Sequence, residues 1–338
     1  MKSPIYDLII IGAGPAGLTA SIYASRYKLN NLVIGKQLGG ELALASKVEN
    51  YPGFISIPGL ELCQKTAEQV EKLGAKILYK EVGRIEKSGD GEAKFKIDIN
   101  KEEVYEARAL IVATGSERRR LNIPGEKEYT GKGISYCTTC DAPFYRDRIV
   151  ALIGGADSAV SGAIHTAEYA KKVYIIYRKD RLRAEPIWLE EWKKIEDSGK
   201  GEVIYNTNIT RILGSKEFAK NSGQNPKPEE GDKVIAVELD KAHDGKNILE
   251  VDGVFIEIGG VPGTSLVQSL GLELTESGHV KVSENLETSL VGLYCAGDMT
   301  NKSAVMQQAI TAMAQGAIAA ASVYKFLKGQ QAPRILGV

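Results

Sequence analysis

Two cysteines separated by two residues, Cys137 and Cys140, form the most specific chemical motif in this sequence. A thiolate, and not a thiol, attacks a disulfide, so one cysteine of a working pair needs a lowered pKa. The C-x-x-C spacing at the start of a helix can supply that shift. Opening the disulfide leaves a thiolate that needs a proton, and Asp141 is the nearest candidate acid. The motif therefore predicts thiol–disulfide exchange at Cys137 and Cys140, with Asp141 as the acid.

A structural zinc half-site is an alternative use of this pair, but zinc normally takes four protein ligands. The other two cysteines, Cys63 and Cys295, stand singly in apolar segments that are typical of inert core residues. A surface C-x-x-C without catalytic function is a second alternative. We expect no metal site, and four cysteines in 338 residues are too few for a disulfide scaffold.

The elements that must position the dithiol contain one motif written twice. Residues 7–17 (DLIIIGAGPAG) read as a buried strand, a G-x-G-x-x-G turn and the start of a helix. Residues 149–159 (IVALIGGADSA) repeat the strand and the turn, here as G-x-A-x-x-A. A strand, a glycine turn, a helix and a second strand within about 30 residues form the βαβ unit that binds dinucleotides. Two copies in this context predict two dinucleotide sites, against the alternative of glycine turns that bind no nucleotide.

A basic cluster follows the second copy, where residues 177–183 read YRKDRLR. An acidic residue about 20 positions past the glycine turn would bind a ribose 2′-hydroxyl, whereas basic residues there suit the 2′-phosphate of NADPH. Arg178, Lys179 and Arg183 therefore favour NADPH, with NADH possible because a lysine lacks the bidentate fork of arginine. A solvated basic turn without a ligand is the alternative.

Size and composition favour about two domains in an ordinary globular protein. The chain carries 43 basic and 43 acidic residues, so its net charge indicates neither a nucleic-acid partner nor an anionic membrane partner. The N-terminus shows no basic segment followed by an apolar stretch, which predicts a cytoplasmic location. Residues 304–324 are uncharged, but the glutamines among them favour a buried core helix over a membrane span. Residues 215–232 are polar and read as a long exposed connection.

In this order, the pieces resemble the low-molecular-weight thioredoxin reductases of bacteria and archaea, which are class II pyridine nucleotide-disulfide oxidoreductases. The resemblance covers roughly residues 5 to 328 and rests on short motifs besides those above. They are GGE from Gly39, VENYPG from Val48, ATG from Ala113, AGD from Ala296 and QA from Gln308.

The resemblance implies an α/β fold with two Rossmann-like dinucleotide-binding domains, an FAD domain and an NAD(P)H domain inserted into it. The crossings are expected near Ser116 to Arg120 and near Asn247 to Asp252. The expected boundaries are residues 1–117 and 248–328 for the FAD domain, 118–247 for the NAD(P)H domain with the C-x-x-C, and 329–338 for a flexible tail.

The same resemblance implies a thioredoxin-disulfide reductase that passes electrons from NADPH through FAD to the dithiol and on to a thioredoxin-like or glutaredoxin-like protein. Cys140 would be the thiol nearest the flavin, and Cys137 would attack the substrate disulfide. A homodimer is expected, because relatives form one.

The resemblance also assigns the residues that hold the two nucleotides. FAD is expected to contact residues from six segments of the FAD domain: Gly12, Gly14, Pro15, Ala16, Gly17, Gly40, Glu41, Asn50, Ala113, Thr114, Gly115, Gly297, Asp298, Gln307, Gln308 and Ala309. NADPH is expected to contact the second glycine turn and the basic cluster: Gly154, Gly155, Ala156, Asp157, Ser158, Ala159, Arg178, Lys179 and Arg183.

Three positions depart from the family pattern. Ala156 stands where the second fingerprint glycine lets the backbone meet the pyrophosphate, Gln307 stands where relatives often carry an arginine, and Tyr177 replaces a histidine. These departures leave open a flavoprotein of the same fold with impaired or no NADPH use, which takes another electron donor, oxidises a small dithiol or acts as a redox sensor. Reduction of a peroxiredoxin partner is a further outlet for the same fold.

Overall fold

The computed structural model describes residues 5–45, 47–88, 94–99, 103–216, 232–303 and 306–330. The chain divides into two compact units. Unit 1 comprises residues 1–117 and 261–338, and unit 2 comprises residues 118–260. Most of the predicted connection at 215–232 and most of the predicted tail at 329–338 lie outside the described residues.

Unit 1 is built on a parallel sheet whose central strand is the first half of the repeated motif. Residues 8–11 of this strand are at most 3% exposed, as expected for a parallel strand that is covered on both faces. The strand order is β3-β2-β1-β6-β5-β4, and β17 also pairs with β6. The elements are β1 Ile5–Ile11, α1 Pro15–Arg26, β2 Asn31–Ile34, α2 Gly59–Lys72, β3 Lys76–Leu78, β4 Arg84–Lys87, β5 Phe95–Ile99, β6 Glu103–Val112, β17 Leu293–Cys295 and α7 Ala309–Lys328.

The long helix α7 packs on α1. A Cβ atom added to Gly316 would lie 2.0 Å from the carbonyl oxygen of Ala16, so only glycine permits this approach. Within α7, Gln315 is buried, and its amide accepts from the Gly297 N–H at 2.8 Å and donates to Ser303 at 3.0 Å. By length and composition α7 is the one helix among the described residues that could cross a membrane. Its packing and the satisfied glutamine fit the predicted core helix.

Unit 2 contains a second parallel sheet in the order β11-β10-β9-β15-β8 and an antiparallel sheet in the order β12-β13-β14. The glycine turn of the second motif follows the central strand β9, as the first follows β1. The elements are α3 Glu126–Tyr129, β8 Ile134–Ser135, α4 Thr138–Asp141, β9 Ile149–Ile153, α5 Asp157–Ala167, β10 Lys172–Ile176, α6 Pro186–Asp197, β11 Gly201–Ile204, β12 Ile209–Gly214, β13 Val234–His243, β14 Lys246–Glu250 and β15 Gly253–Ile256.

Two short strands, β7 Ser116–Arg118 and β16 Gly260–Pro262, lie where the chain passes between the units. The second crossing therefore lies at Gly260, later than the expected region of Asn247 to Asp252. The reason is that β15 pairs with β9, with Gly253 opposite Val150, and so completes the sheet of unit 2. The sequence does not reveal which sheet a short apolar strand joins.

Candidate functional site

Unit 1 holds a cavity of about 890 Å³ at the carboxyl ends of its parallel strands. This edge is where open α/β sheets bind their ligands. The first glycine turn forms one wall, and the start of α7 forms another. The sequence-predicted residues in the lining are Gly12, Gly14, Pro15, Ala16, Gly40, Glu41, Ala113, Thr114, Gly115, Asp298, Gln307, Gln308 and Ala309.

The backbone of the first turn requires glycine at two of its three positions. Gly12 has a φ of +114°, and a Cβ there would lie 2.1 Å from the carbonyl oxygen of Ala113. A Cβ on Gly17 would lie 1.9 Å from the Gly12 oxygen. At Gly14, the N-cap of α1, the nearest atom would be 3.8 Å away, so packing does not require glycine there. Because no side chain of the described residues caps α1, its first N–H groups can bind a pyrophosphate.

Asp298 points to a polar ligand in this cavity. Its Oδ1 atom is buried and has no hydrogen-bond partner among the described residues. Burial raises the pKa of Asp298 above its usual range, and the charge of Glu41 adds to the rise. A buried carboxylate oxygen without a donor is costly, and a ligand hydroxyl or amide would satisfy it. The cavity, the open helix start and this acceptor together fit FAD.

Three of the predicted FAD residues do not line the cavity. Gly17 packs against the turn, and the Gly297 N–H is bound by Gln315. Asn50 donates from Nδ2 to Gln308 Oε1 at 3.1 Å, and so contacts a residue that lines the cavity. The sequence reasoning in turn missed residues 80–83, which line the cavity after β3. The carboxyl end of a predicted parallel strand was the signal that could have found them.

The second glycine turn repeats the geometry of the first within unit 2. Gly154 has a φ of +145°, and a Cβ there would lie 2.2 Å from the Glu257 oxygen and 2.8 Å from the Ala159 methyl. Ala156 is the N-cap of α5, is exposed and has an extended backbone with φ −107°. Alanine therefore fits the turn without strain, and its exposed methyl group lies at the start of α5.

The basic cluster directly follows β10 and lies next to this turn. We call residues 178–183 the basic segment. Its four cationic residues are exposed and form no ion pair with any acidic residue that the structure describes: Arg178, Lys179, Arg181 and Arg183. Four cationic side chains against one acidic residue, Asp180, leave the segment with a net positive charge, so an anion bound among them would be stabilised.

Cys137 and Cys140 form a disulfide, with their Cα atoms 5.3 Å apart. Cys137 is the N-cap of α4, and its Sγ accepts the backbone N–H of Cys140 at 3.1 Å. A donor of this kind favours the thiolate form once the disulfide is reduced. The buried Ser135 hydroxyl accepts the Cys137 N–H at 2.9 Å and fixes the backbone ahead of the turn. Cys140 is the more exposed of the two cysteines.

The dithiol turn rests on α5 of the second nucleotide motif. A Cβ atom on Gly162 would lie 2.9 Å from the Thr138 side chain, so glycine lets the turn pack directly on the helix. Asp141 follows Cys140 and is partly exposed. Burial, with smaller contributions from the charges of Asp141 and Asp252, raises the pKa of Tyr145 to about 12. Tyr145 therefore stays protonated at neutral pH.

The two single cysteines are buried, Cys63 in α2 and Cys295 in β17. Burial raises the pKa of Cys63 to about 11 and raises that of Cys295 further. Thiols in this state are poor nucleophiles at neutral pH, in keeping with the predicted core role.

Comparison with known proteins supports this arrangement along nearly the whole chain. The model of the pyridine nucleotide-disulphide oxidoreductase family matches residues 6–316. The thioredoxin reductase of Listeria innocua is 39% identical over 329 residues, which cover 97% of this chain and 95% of that protein. The thioredoxin reductase of Bacillus subtilis is 38% identical over 332 residues, which cover 98% of this chain and 97% of that protein.

Solved structures give the same result. The Lactococcus lactis thioredoxin reductase in its FR conformation matches with a TM-score of 0.85 and 33% identity, over 96% of this chain and 100% of that one. The T. acidophilum thioredoxin reductase matches with a TM-score of 0.82 and 35% identity, over 95% and 98%. The predicted α/β fold with two dinucleotide-binding domains is thereby confirmed, and the chain belongs to the pyridine nucleotide-disulphide oxidoreductase family.

Proposed function

We propose that this protein is a thioredoxin-disulfide reductase, which uses electrons from NADPH to reduce the disulfide of a thioredoxin-like or glutaredoxin-like protein. The observation that carries the proposal is the Cys137–Cys140 disulfide, whose first sulfur accepts a backbone N–H at 3.1 Å. It lies in a chain that aligns with thioredoxin reductases over almost its full length.

The roles of the two cysteines are those that the family resemblance implies, and the N–H that Cys137 Sγ accepts supports a thiolate at Cys137. In the reduced protein the Cys137 thiolate attacks one sulfur of the substrate disulfide, which breaks and leaves a mixed disulfide. The Cys140 thiolate then attacks the Cys137 sulfur, re-forms the bond seen here and releases the substrate as a dithiol. The substrate gains two electrons and two protons, and the Cys137–Cys140 pair loses them. Asp141 supplies a proton to the thiolate that leaves when the Cys137–Cys140 disulfide is opened again.

The cavity of unit 1 is the proposed FAD site. FAD, when bound, supplies the two-electron relay between a nicotinamide and the dithiol. The start of α1 would hold the pyrophosphate, and Asp298 would accept a hydrogen bond from a ribityl hydroxyl. Gln308 and Ala309 open α7 and would lie beside the ring system.

The second glycine turn and the basic segment are the proposed NADPH site of unit 2. Arg178, Lys179 and Arg183 would bind the 2′-phosphate, and the start of α5 would bind the pyrophosphate. A homodimer and a cytoplasmic location stay predictions from the sequence.

A flavoprotein that takes electrons from another donor is the second candidate function. The exposed methyl of Ala156 at the start of α5 favours it, because this group lies where the pyrophosphate would approach.

The assay that separates the two candidates is NADPH-driven reduction of an oxidised thioredoxin, followed by labelling of the new thiols. The proposal expects thiols to appear in proportion to the NADPH consumed, with wild-type protein and with the matched control Cys63→Ala. Cys137→Ser should produce none. Consumption of no NADPH by the flavin-loaded protein would favour the second candidate.

A further inference from the structure

Tyr177 lies directly on the second glycine turn. It follows β10 and is only 5% exposed. A Cβ atom on Gly155 would lie 2.6 Å from three atoms of the Tyr177 ring, so the ring fills the space above this glycine. The Tyr177 N–H donates to the Ile204 oxygen at 2.9 Å, and its carbonyl accepts from Thr207 at 3.1 Å. Both the backbone and the ring of Tyr177 are therefore held in place.

The hydroxyl of Tyr177 accepts a hydrogen bond from Nε of Arg183 at 2.9 Å. The backbone N–H of Arg183 also donates to the Gly155 oxygen at 2.6 Å. The first bond fixes the guanidinium group, and the second fixes the main chain that carries it. Because Nε is the bonded atom, the two terminal nitrogens keep the donors that form a bidentate pair with a phosphate.

The backbone just after the basic segment is fixed as well. The backbone N–H of Glu185 donates to Oδ1 of Asp157, the first residue of α5, at 2.6 Å. Arg183 is thus held between two anchored points, whereas the side chains of Arg178 and Lys179 are exposed and have no hydrogen-bond or ion-pair partner among the described residues. Of the three predicted phosphate ligands, Arg183 alone has its side chain oriented by a neighbour that is itself buried.

We propose that Tyr177 is a positioning residue, which holds the Arg183 guanidinium ready for a 2′-phosphate and so strengthens the preference for NADPH over NADH. The inference rests on the proposed function, in which unit 2 takes this dinucleotide. A free arginine side chain loses rotamer entropy when it binds a phosphate, and the bond from Tyr177 removes part of that loss in advance. The tyrosine that stands at the family's histidine position thus supplies an acceptor for Arg183.

The test compares two ligands that differ only in the 2′-phosphate. Calorimetric titration of the FAD-loaded protein with 2′,5′-ADP and with 5′-AMP measures the contribution of that group. Tyr177→Phe keeps the ring on Gly155 and removes the acceptor. It should weaken 2′,5′-ADP binding about threefold to tenfold, since Arg183 is exposed and its bond is partly screened. Binding of 5′-AMP should not change.

Three further variants separate positioning from a structural role. Arg183→Met should lose more 2′,5′-ADP affinity than Tyr177→Phe, and the double variant should be no weaker than Arg183→Met alone. Tyr177→His, whose ring nitrogen can accept from Nε, should restore part of the affinity. In kinetics, Tyr177→Phe should raise KM for NADPH and leave kcat and the NADH parameters unchanged.

Two outcomes overturn this inference alone. One is a Tyr177→Phe protein with wild-type preference for 2′,5′-ADP, and the other is equal weakening of both ligands, which marks a structural role. A wild-type protein that binds 2′,5′-ADP no better than 5′-AMP overturns the proposed NADPH specificity together with this inference. The affinity of the wild-type protein for the two ligands therefore distinguishes failure of this inference from failure of the proposed NADPH specificity.

Discussion

Replacing Asp298 by alanine should weaken FAD binding without destabilising the flavin-free protein. Its buried Oδ1 has no hydrogen-bond partner among the described residues, so the flavin-free protein keeps a carboxylate in an unfavourable place. A hydrogen bond to a charged group contributes about 1.5–3 kcal/mol. Loss of that bond corresponds to FAD binding that is about tenfold to 150-fold weaker.

In the flavin-free protein, the contribution of Asp298 to folding stability should depend on pH. Because burial raises the pKa of Asp298, the folded state holds a proton at this site more tightly than the unfolded chain does. The contribution of Asp298 to the free energy of unfolding is therefore greatest below the ordinary aspartate pKa, and it is lost as the pH rises through the raised pKa. Asp298→Asn should remove this part of the pH dependence.

The assay is a fluorescence titration of flavin-free protein with FAD, together with thermal unfolding across pH 4 to about 8. Glu276→Ala is the matched control, because Glu276 is an exposed acid of unit 1 outside the cavity. Unchanged FAD affinity in Asp298→Ala would show that Asp298 forms no hydrogen bond with FAD. A lower melting temperature of the flavin-free variant would also refute the prediction, because it would mean that Asp298 is already satisfied.

Three further predictions concern unit 2. Cys137→Ser should abolish disulfide reduction and leave flavin reduction by NADPH intact; loss of both with flavin still bound, seen by absorbance, would contradict the assignment. Gly162→Ala should destabilise the protein by about 1–3 kcal/mol in denaturant unfolding, because the new methyl meets Thr138, and Thr138→Ala should recover part of this loss. Ala156→Gly should lower KM for NADPH without loss of stability, because glycine is preferred over alanine at an N-cap; an unchanged KM would show that the methyl does not obstruct the pyrophosphate.

The sequence predicts the nucleotide folds well because their requirements are local. A tight turn after a buried strand needs glycine for reasons that hold in any such fold, and Gly12 and Gly154 both have positive φ. The C-x-x-C is equally local, since Cys137 caps the turn that carries Cys140. Spacing along the chain is sufficient to recognise both features.

Features that depend on distant pairing were not predicted. The second crossing was placed too early, since β15 joins the sheet of unit 2 through contacts about 100 residues away in sequence. The role of Ser135 at the dithiol also needs coordinates, because no spacing rule links it to Cys137. The sequence shows Tyr177 only as a departure from the family histidine, and its bond to Arg183 is visible only in the structure.

Anaerobic stopped-flow mixing tests the central claim most directly. Flavin-loaded protein is mixed with NADPH, and then with an oxidised thioredoxin, while flavin absorbance is recorded. NADPH should bleach the flavin, and the flavin absorbance should return when the disulfide is added, with no return in Cys137→Ser. No bleaching by NADPH, or return of the absorbance in Cys137→Ser at the wild-type rate, would contradict it.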